Sequence, residues 1–197
     1  MKEWWEKHIK LLINSGLSKA DLEDIISNGY AKLRDGIKEF MEFLYEQKIP
    51  IIIFSASGCG EVVQMFLEKE GVDYPNIFYV TNKFEWNEKG RAKSVKGEII
   101  HSMNKDETVL QKFPEAFKAV KNRKNIILLG DMISDLGMAE GFDYENIIKI
   151  GFLNPGYKNA KEKFTKSYDI TLEGNSDFSY INSFIRELTK DPESNLN

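Results

Sequence analysis

The segment Asn125-Ile126-Ile127-Leu128-Leu129-Gly130-Asp131-Met132-Ile133-Ser134-Asp135 constrains the fold of this chain more than any other. An apolar run that stops at Gly-Asp predicts a strand buried on both faces, the habit of parallel sheets flanked by helices. Gly130 is expected to let the backbone turn sharply where the strand ends. Asp131 then stands at the carboxyl edge of the sheet, where open α/β folds bind ligands, and Asp135 falls one helical turn further on. Such carboxylates suit a hard cation, since Mg²⁺ takes oxygen ligands from one or two carboxylates, water and substrate phosphate. The plainer alternative is structural: Asp131 caps a helix over residues 132–140 and Asp135 is merely solvated.

Around this strand the pattern alternates. Helical spacing is predicted over residues 36–47, 61–70, 114–122, 133–140, 158–166 and 177–189, and strands over 49–55, 77–81, 125–130, 147–152 and 169–172. Residues 83–96 read as a hairpin around Asn87-Glu88-Lys89-Gly90. Strands alternating with helices predict an α/β fold with a parallel, doubly wound sheet. Before residue 34 the character differs: residues 4–13 and 19–27 carry apolar residues at helical spacing, Ser18 is a candidate N-cap, and no strand is predicted. Residues 191–197 are polar and are expected to form a disordered tail.

Composition narrows the function classes. A chain of 197 residues with 42% hydrophobic content has room for one α/β domain and an appendage. The net charge of -4, with charges of both signs interspersed, argues against a nucleic acid polymer as partner. The basic cluster at residues 121–124 reads as a solvated helix end. Cys59 is the single cysteine, so no intrachain disulfide is available and a reducing cytoplasm is the expected location. The first residues include Lys2, Glu3, Glu6 and Lys7 rather than an apolar signal core, and no apolar run approaches membrane-spanning length. No membrane partner is expected.

Two further features bear on chemistry. Ile51-Ile52-Ile53-Phe54-Ser55-Ala56-Ser57-Gly58 is another apolar strand, ending in small hydroxyl and glycine residues whose N–H groups can cradle an anion. Its alternative is an ordinary cap by Ser55 or Ser57. Lys105 lies where apolar patterning gives way to a helix start; by itself a lysine is a surface residue.

The order is what joins these features. A strand ending in Ser55, a Lys105 opening a later helix, and Gly130-Asp131 followed by Asp135 resemble the second, third and fourth motifs of the haloacid dehalogenase superfamily of phosphotransferases. With Glu3-Trp4-Trp5, Leu11-Leu12, Gly97-Glu98-Ile99-Ile100-His101 and the run from Ile147 to Asn154, the chain resembles a cytosolic pyrimidine 5′-nucleotidase from Met1 to Thr189. The resemblance implies a Rossmannoid parallel sheet over residues 35–190, preceded by the second half of a helical cap over residues 1–34. It implies that Ser55 and the backbone at Ala56 bind the substrate phosphate, and that Lys105 supports catalysis by offsetting charge. It also implies that Asp131 ligates Mg²⁺ and that Asp135 supports that metal shell. Trp4, Trp5 and His8 would offer surfaces to a base, or simply form an apolar helix stripe. His8 stands where the family usually has a small hydroxyl residue of the substrate pocket, a departure that bears on base preference.

One family element has no counterpart. Members of the family begin their core with a central strand ending in Asp-x-Asp-x-Thr, which carries the covalent nucleophile, and no Asp-x-Asp follows an apolar strand here. The expected fold is therefore the haloacid dehalogenase-like sheet without its central, nucleophile-bearing strand. The expected function is hydrolysis of a pyrimidine nucleoside monophosphate with Mg²⁺ by a family member represented here without its nucleophile segment, inactive as written, for which a strand supplied in trans or self-association is one way to close the gap. The alternatives are a non-catalytic phosphate-binding or interaction remnant of that family, and a related phosphatase acting on a non-nucleotide phosphate.

Overall fold

The computed structural model describes residues 2–29, 31–157 and 160–190. Helices α1 (Lys2–Asn14) and α2 (Lys19–Ser27) come first. Ser18 starts α2 as its sequence suggests, for its hydroxyl accepts from the Asp21 N–H while the Asp21 carboxylate accepts from the Ser18 N–H, a reciprocal cap. Helix α3 (Ile37–Glu46) leads into strand β1 (Ile51–Ser55), and α4 (Glu61–Glu70) into β2 (Ile77–Thr81). The hairpin β3 (Phe84–Trp86) and β4 (Ala92–Val95) turns at Asn87, whose side-chain oxygen accepts from the N–H groups of Lys89 and Arg91.

Helices α5 (Glu107–Leu110) and α6 (Pro114–Val120) precede β5 (Asn125–Gly130). A 3-10 helix (Ile133–Ala139), β6 (Asn146–Leu153), α7 (Lys161–Ser167), β7 (Ile170–Glu173) and α8 (Ser179–Leu188) complete the order. Every strand expected from the sequence is present within two residues of its expected ends. Helix α7 begins three residues later than its pattern suggested. The expectation for Lys158 and Asn159, and that for the tail at 191–197, lie outside the described residues.

The α/β class with parallel strands is as expected, and in place of one continuous sheet the parallel strands form two, β1-β2 and β5-β6-β7, with β3-β4 antiparallel on its own, an interruption in keeping with a sheet that lacks its central strand. Among the described residues, what joins the two parallel sheets is side-chain packing rather than backbone hydrogen bonding. Ile49 and Ile51, at the start of the β1 side, and Ile127 and Leu129 of β5 pack on one cluster built from Phe40, Phe43 and Leu44 of α3 and Ile181 and Ile185 of α8. A second cluster covers the other face of β1-β2 with Val109, Leu110 and Ala116 from α5 and α6. Ile51, Ile52 and Ile53 are only half-buried, where a strand paired on both sides would be sealed.

Helices α1 and α2 do not join this double-sided core. Ile9, Leu17 and Leu22 bury against Phe84 and Ala92 of the hairpin, with Val62 and Met65 of α4 beside them. The Ala92 N–H donates to Leu17 O at 2.8 Å and Lys69 Nζ to Ile26 O at 2.8 Å, so backbone as well as side chains hold the helical pair on the hairpin and α4. Among the described residues no helix is long and apolar enough to cross a membrane.

Candidate functional site

The end of β5 is built around Asp135. Its Oδ2 accepts from the N–H groups of Asp131 (3.1 Å) and Met132 (3.0 Å), and its Oδ1 accepts from Lys105 Nζ at 2.7 Å. Asp135, not Asp131, therefore caps this turn, and the solvated role considered for Asp135 is wrong. The same bonds explain why residues 133–139 wind as a 3-10 helix where a regular helix was expected: the Asp135 N–H returns to Met132 O at 3.0 Å, closing a tight turn over the carboxylate. Lys105 and Asp135 have 11% and 6% of their side-chain surface exposed, so this pair is buried and Lys105 is not a surface lysine.

Gly130 is needed for a different reason from the one its sequence suggested. Its φ is not positive; instead a Cβ there would stand 2.6 Å from the Tyr168 hydroxyl and 2.7 Å from Asp135 Cβ. Tyr168 donates to Met132 O at 2.6 Å. Burial, then the Asp135 and Asp131 carboxylates, push its phenol well above the ordinary range, so it stays a proton donor.

The loop after β1 carries the second group. Ser55 Oγ accepts from the Ser57 N–H (3.2 Å) and Ser57 Oγ from the Cys59 N–H (3.3 Å). These are turn contacts inside the loop rather than the helix cap weighed as an alternative, for α4 starts at Gly60 without a side-chain cap, and each hydroxyl uses only an acceptor lone pair in them and keeps its O–H free to donate. Asn82, just past β2, ties the loop down: its Nδ2 donates to Ser57 O (3.0 Å) and Ile100 O (2.9 Å), and its Oδ1 accepts from the Ile100 N–H (2.8 Å). Asn104 then braces the following segment, accepting from the His101 N–H at 2.7 Å and donating to Ile99 O at 3.1 Å, immediately before Lys105. Ala56 and Met138 of the 3-10 helix pack on the same apolar cluster. Loop 55–58, Lys105 and Asp135 thus share one support.

His8 reaches this loop from α1, for a Cβ on Gly58 would lie 2.8 Å from His8 Nε2. Trp4 stacks on His8 with centroids 5.4 Å apart, and Trp5 meets both edge-on. Trp4 is 59% exposed, so this aromatic group is not an apolar core stripe. Asp131 is exposed beyond β5, with Asn154 Nδ2 3.2 Å from its Oδ2. Among the described residues no group of three or more His, Cys, Asp or Glu converges as a metal cluster. Two open concavities of about 400 and 470 Å³ lie elsewhere, one between α1 and β4, the other around residues 31–39 and Glu70.

Sequence reasoning missed Asn82 and did not assign a role to Asn154. A signal was present: each is the first polar side chain beyond the carboxyl end of a parallel strand, the same place as Asp131 and one step past the strand-ending position of Ser55.

An α/β fold with parallel strands, whose strand ends present hydroxyls, a buried Lys–Asp pair and an exposed aspartate, falls in the haloacid dehalogenase-like class. A phosphoserine phosphohydrolase-like protein from Francisella tularensis shares that fold over 85% of this chain and 70% of its own, with a TM-score of 0.54 at 22% identity. The family model for pyrimidine 5′-nucleotidase (UMPH-1) matches residues 1–189, and the chain belongs to that family. It is 38% identical to the 7-methylguanosine phosphate-specific 5′-nucleotidase of Mus musculus over 189 residues, 95% of this chain and 62% of the mouse protein. It is 40% identical to the A form of that enzyme from Xenopus laevis, across 96% of this chain and 65% of the frog protein. The crystal structure of cytosolic 5′-nucleotidase IIIB bound to cytidine superposes with a TM-score of 0.81 at 31% identity, over 99% of this chain and 64% of that one. The chain thus spans less than two thirds of the length of these relatives.

Proposed function

We propose that this chain carries the phosphate- and cation-binding part of a cytosolic 5′-nucleotidase, which hydrolyses a nucleoside 5′-monophosphate to nucleoside and phosphate. The observation that carries this reading is the buried Lys105–Asp135 pair set beside the exposed Asp131 and braced to the hydroxyl loop 55–58. Ser55 and Ser57 offer O–H donors and the Ala56 backbone an N–H donor to phosphate oxygens. Lys105 spends one ammonium proton on Asp135 and has two more for the phosphate. Asp135 keeps that ammonium in place and balances its charge while the site is empty of anion. Asp131 has the chemistry for Mg²⁺: a hard carboxylate, exposed, and not spent on the cap that Asp135 makes. When bound there, the ion would neutralise phosphate charge and help orient the phosphoryl group.

Residues 1–34 serve in this reading as half of the cap and residues 35–190 as the core. His8, held against the loop at Gly58, and Trp4, stacked on His8, would then face the nucleoside. The relatives' names nominate 7-methylguanosine monophosphate beside pyrimidine nucleotides as the substrate. The covalent step needs a carboxylate nucleophile on a strand placed between β1 and β5, supplied from elsewhere in the protein or by a partner.

The test is calorimetry and turnover side by side. With Mg²⁺, the chain should bind UMP, CMP or 7-methylguanosine 5′-monophosphate without hydrolysing it, and Lys105→Met or Asp131→Ala should abolish that binding. Turnover by this chain alone that disappears on Asp131→Ala, or the lack of any nucleotide or phosphate binding, refutes the proposal.

A further inference from the structure

Among the described residues, the only hydrogen bond to the Asp131 carboxylate comes from Asn154. Asn154 Oδ1 accepts from Arg34 Nη2 at 2.6 Å. The chemistry of the two neighbours sets the amide's orientation without ambiguity: a guanidinium only donates, so it must face Oδ1, and an ionised carboxylate only accepts, so it must face Nδ2. Arg34 is in turn fixed by donation from Nη1 to Ser176 O at 2.8 Å, and its guanidinium lies 4.7 Å from the centre of the Phe152 ring. The chain of contacts therefore runs from residue 34, in the connector between α2 and α3, to the one exposed carboxylate of the site.

An exposed aspartate samples several rotamers, and a cation bound to it must select one of them. A donor held on one carboxylate oxygen makes that selection beforehand and leaves the other oxygen outward. We propose that Asn154 is the positioning residue of Asp131 and that Arg34 orients Asn154, so that the cation affinity of Asp131 depends on the connector between the helical segment and the α/β core. This rests on the reading of Asp131 as a divalent-cation ligand.

Mn²⁺, read by electron paramagnetic resonance, is a suitable probe on the full chain. Wild-type protein should bind Mn²⁺ and Asp131→Asn should not. Asn154→Ala should weaken the affinity on the order of 10-fold, the usual effect of losing a partner that orients a metal ligand. Arg34→Met, which keeps a long stem over Phe152, should weaken it less, and combining the two should add nothing to Asn154→Ala alone. A second measurement needs no change at Asn154: its side-chain amide resonances should shift in both Asp131→Asn and Arg34→Met. Unchanged Mn²⁺ affinity in Asn154→Ala, full additivity with Arg34→Met, or unmoved amide resonances overturns the relay while leaving Asp131 as a ligand. Wild-type Mn²⁺ binding that is absent or indifferent to Asp131→Asn overturns both readings.

Discussion

Asp135 and Lys105 show how a few atoms decide what a motif does. The two aspartates of Gly-Asp-x-x-x-Asp look equivalent in one dimension, yet one is buried and fully engaged while the other is exposed. Asp135 is committed by three hydrogen bonds, two from backbone N–H groups and one from a buried ammonium. Removing one partner of a buried ion pair leaves an uncompensated charge and costs on the order of 3–5 kcal/mol. The two remaining N–H donors should keep Lys105→Met toward the low end, about 3 kcal/mol, still a large share of the roughly 5–15 kcal/mol a domain has. Urea unfolding of Lys105→Met should show this loss, and a midpoint equal to wild type would mean that the pair is not buried in solution. Legibility at this scale was partial: residue type and spacing marked Asp131, Asp135 and Lys105, but which aspartate would cap and which would stay open was decided by the approach of Lys105 from thirty residues upstream in the chain.

At the scale of elements, the ends of the parallel strands carry the chemistry and asparagines hold them together. Asn82 is 1% exposed and makes three hydrogen bonds that link the loop after β1 to the segment before Lys105. Asn82→Ala would leave the Ile100 N–H and two carbonyls without these partners, at about 1–3 kcal/mol for each group that stays dry. Native-state hydrogen exchange should find the Ile100 amide deprotected by at least about 10-fold beyond the global loss, since 1.4 kcal/mol is one decade. Protection unchanged relative to distant core amides would show that the latch is dispensable. The capping box at Ser18 and the Asn87 turn were readable because their hydrogen bonds close within four residues. The Asn82 latch spans eighteen to twenty-five residues and leaves no such trace.

For the whole molecule, the notable feature is the pair of parallel sheets that share helices but not backbone hydrogen bonds. Among the described residues β1 pairs only with β2, and β5 only with β6, so each keeps one edge without a partner there, while α3 and α8 pack across both sheets. Free edges are templates for another strand. If a strand bearing Asp-x-Asp-x-Thr belongs between them, a peptide of that type at 100 times its Kd should stabilise the chain by about 2.7 kcal/mol. That corresponds to a rise in Tm of roughly 5–10 °C, and phosphatase activity should return with it. A peptide that neither raises Tm nor restores turnover would favour an independent binding module instead. Sequence alone determined the alternation of strands and helices, the helical start and the motif residues, because apolar period, caps and turns are local physics that short windows record. Tertiary structure alone decided that Gly130 is a packing glycine under Tyr168 and that Arg34 and Asn154 meet at Asp131. Strand pairing and side-chain contact between distant segments depend on which surfaces are brought together in space, and no local pattern encodes that choice.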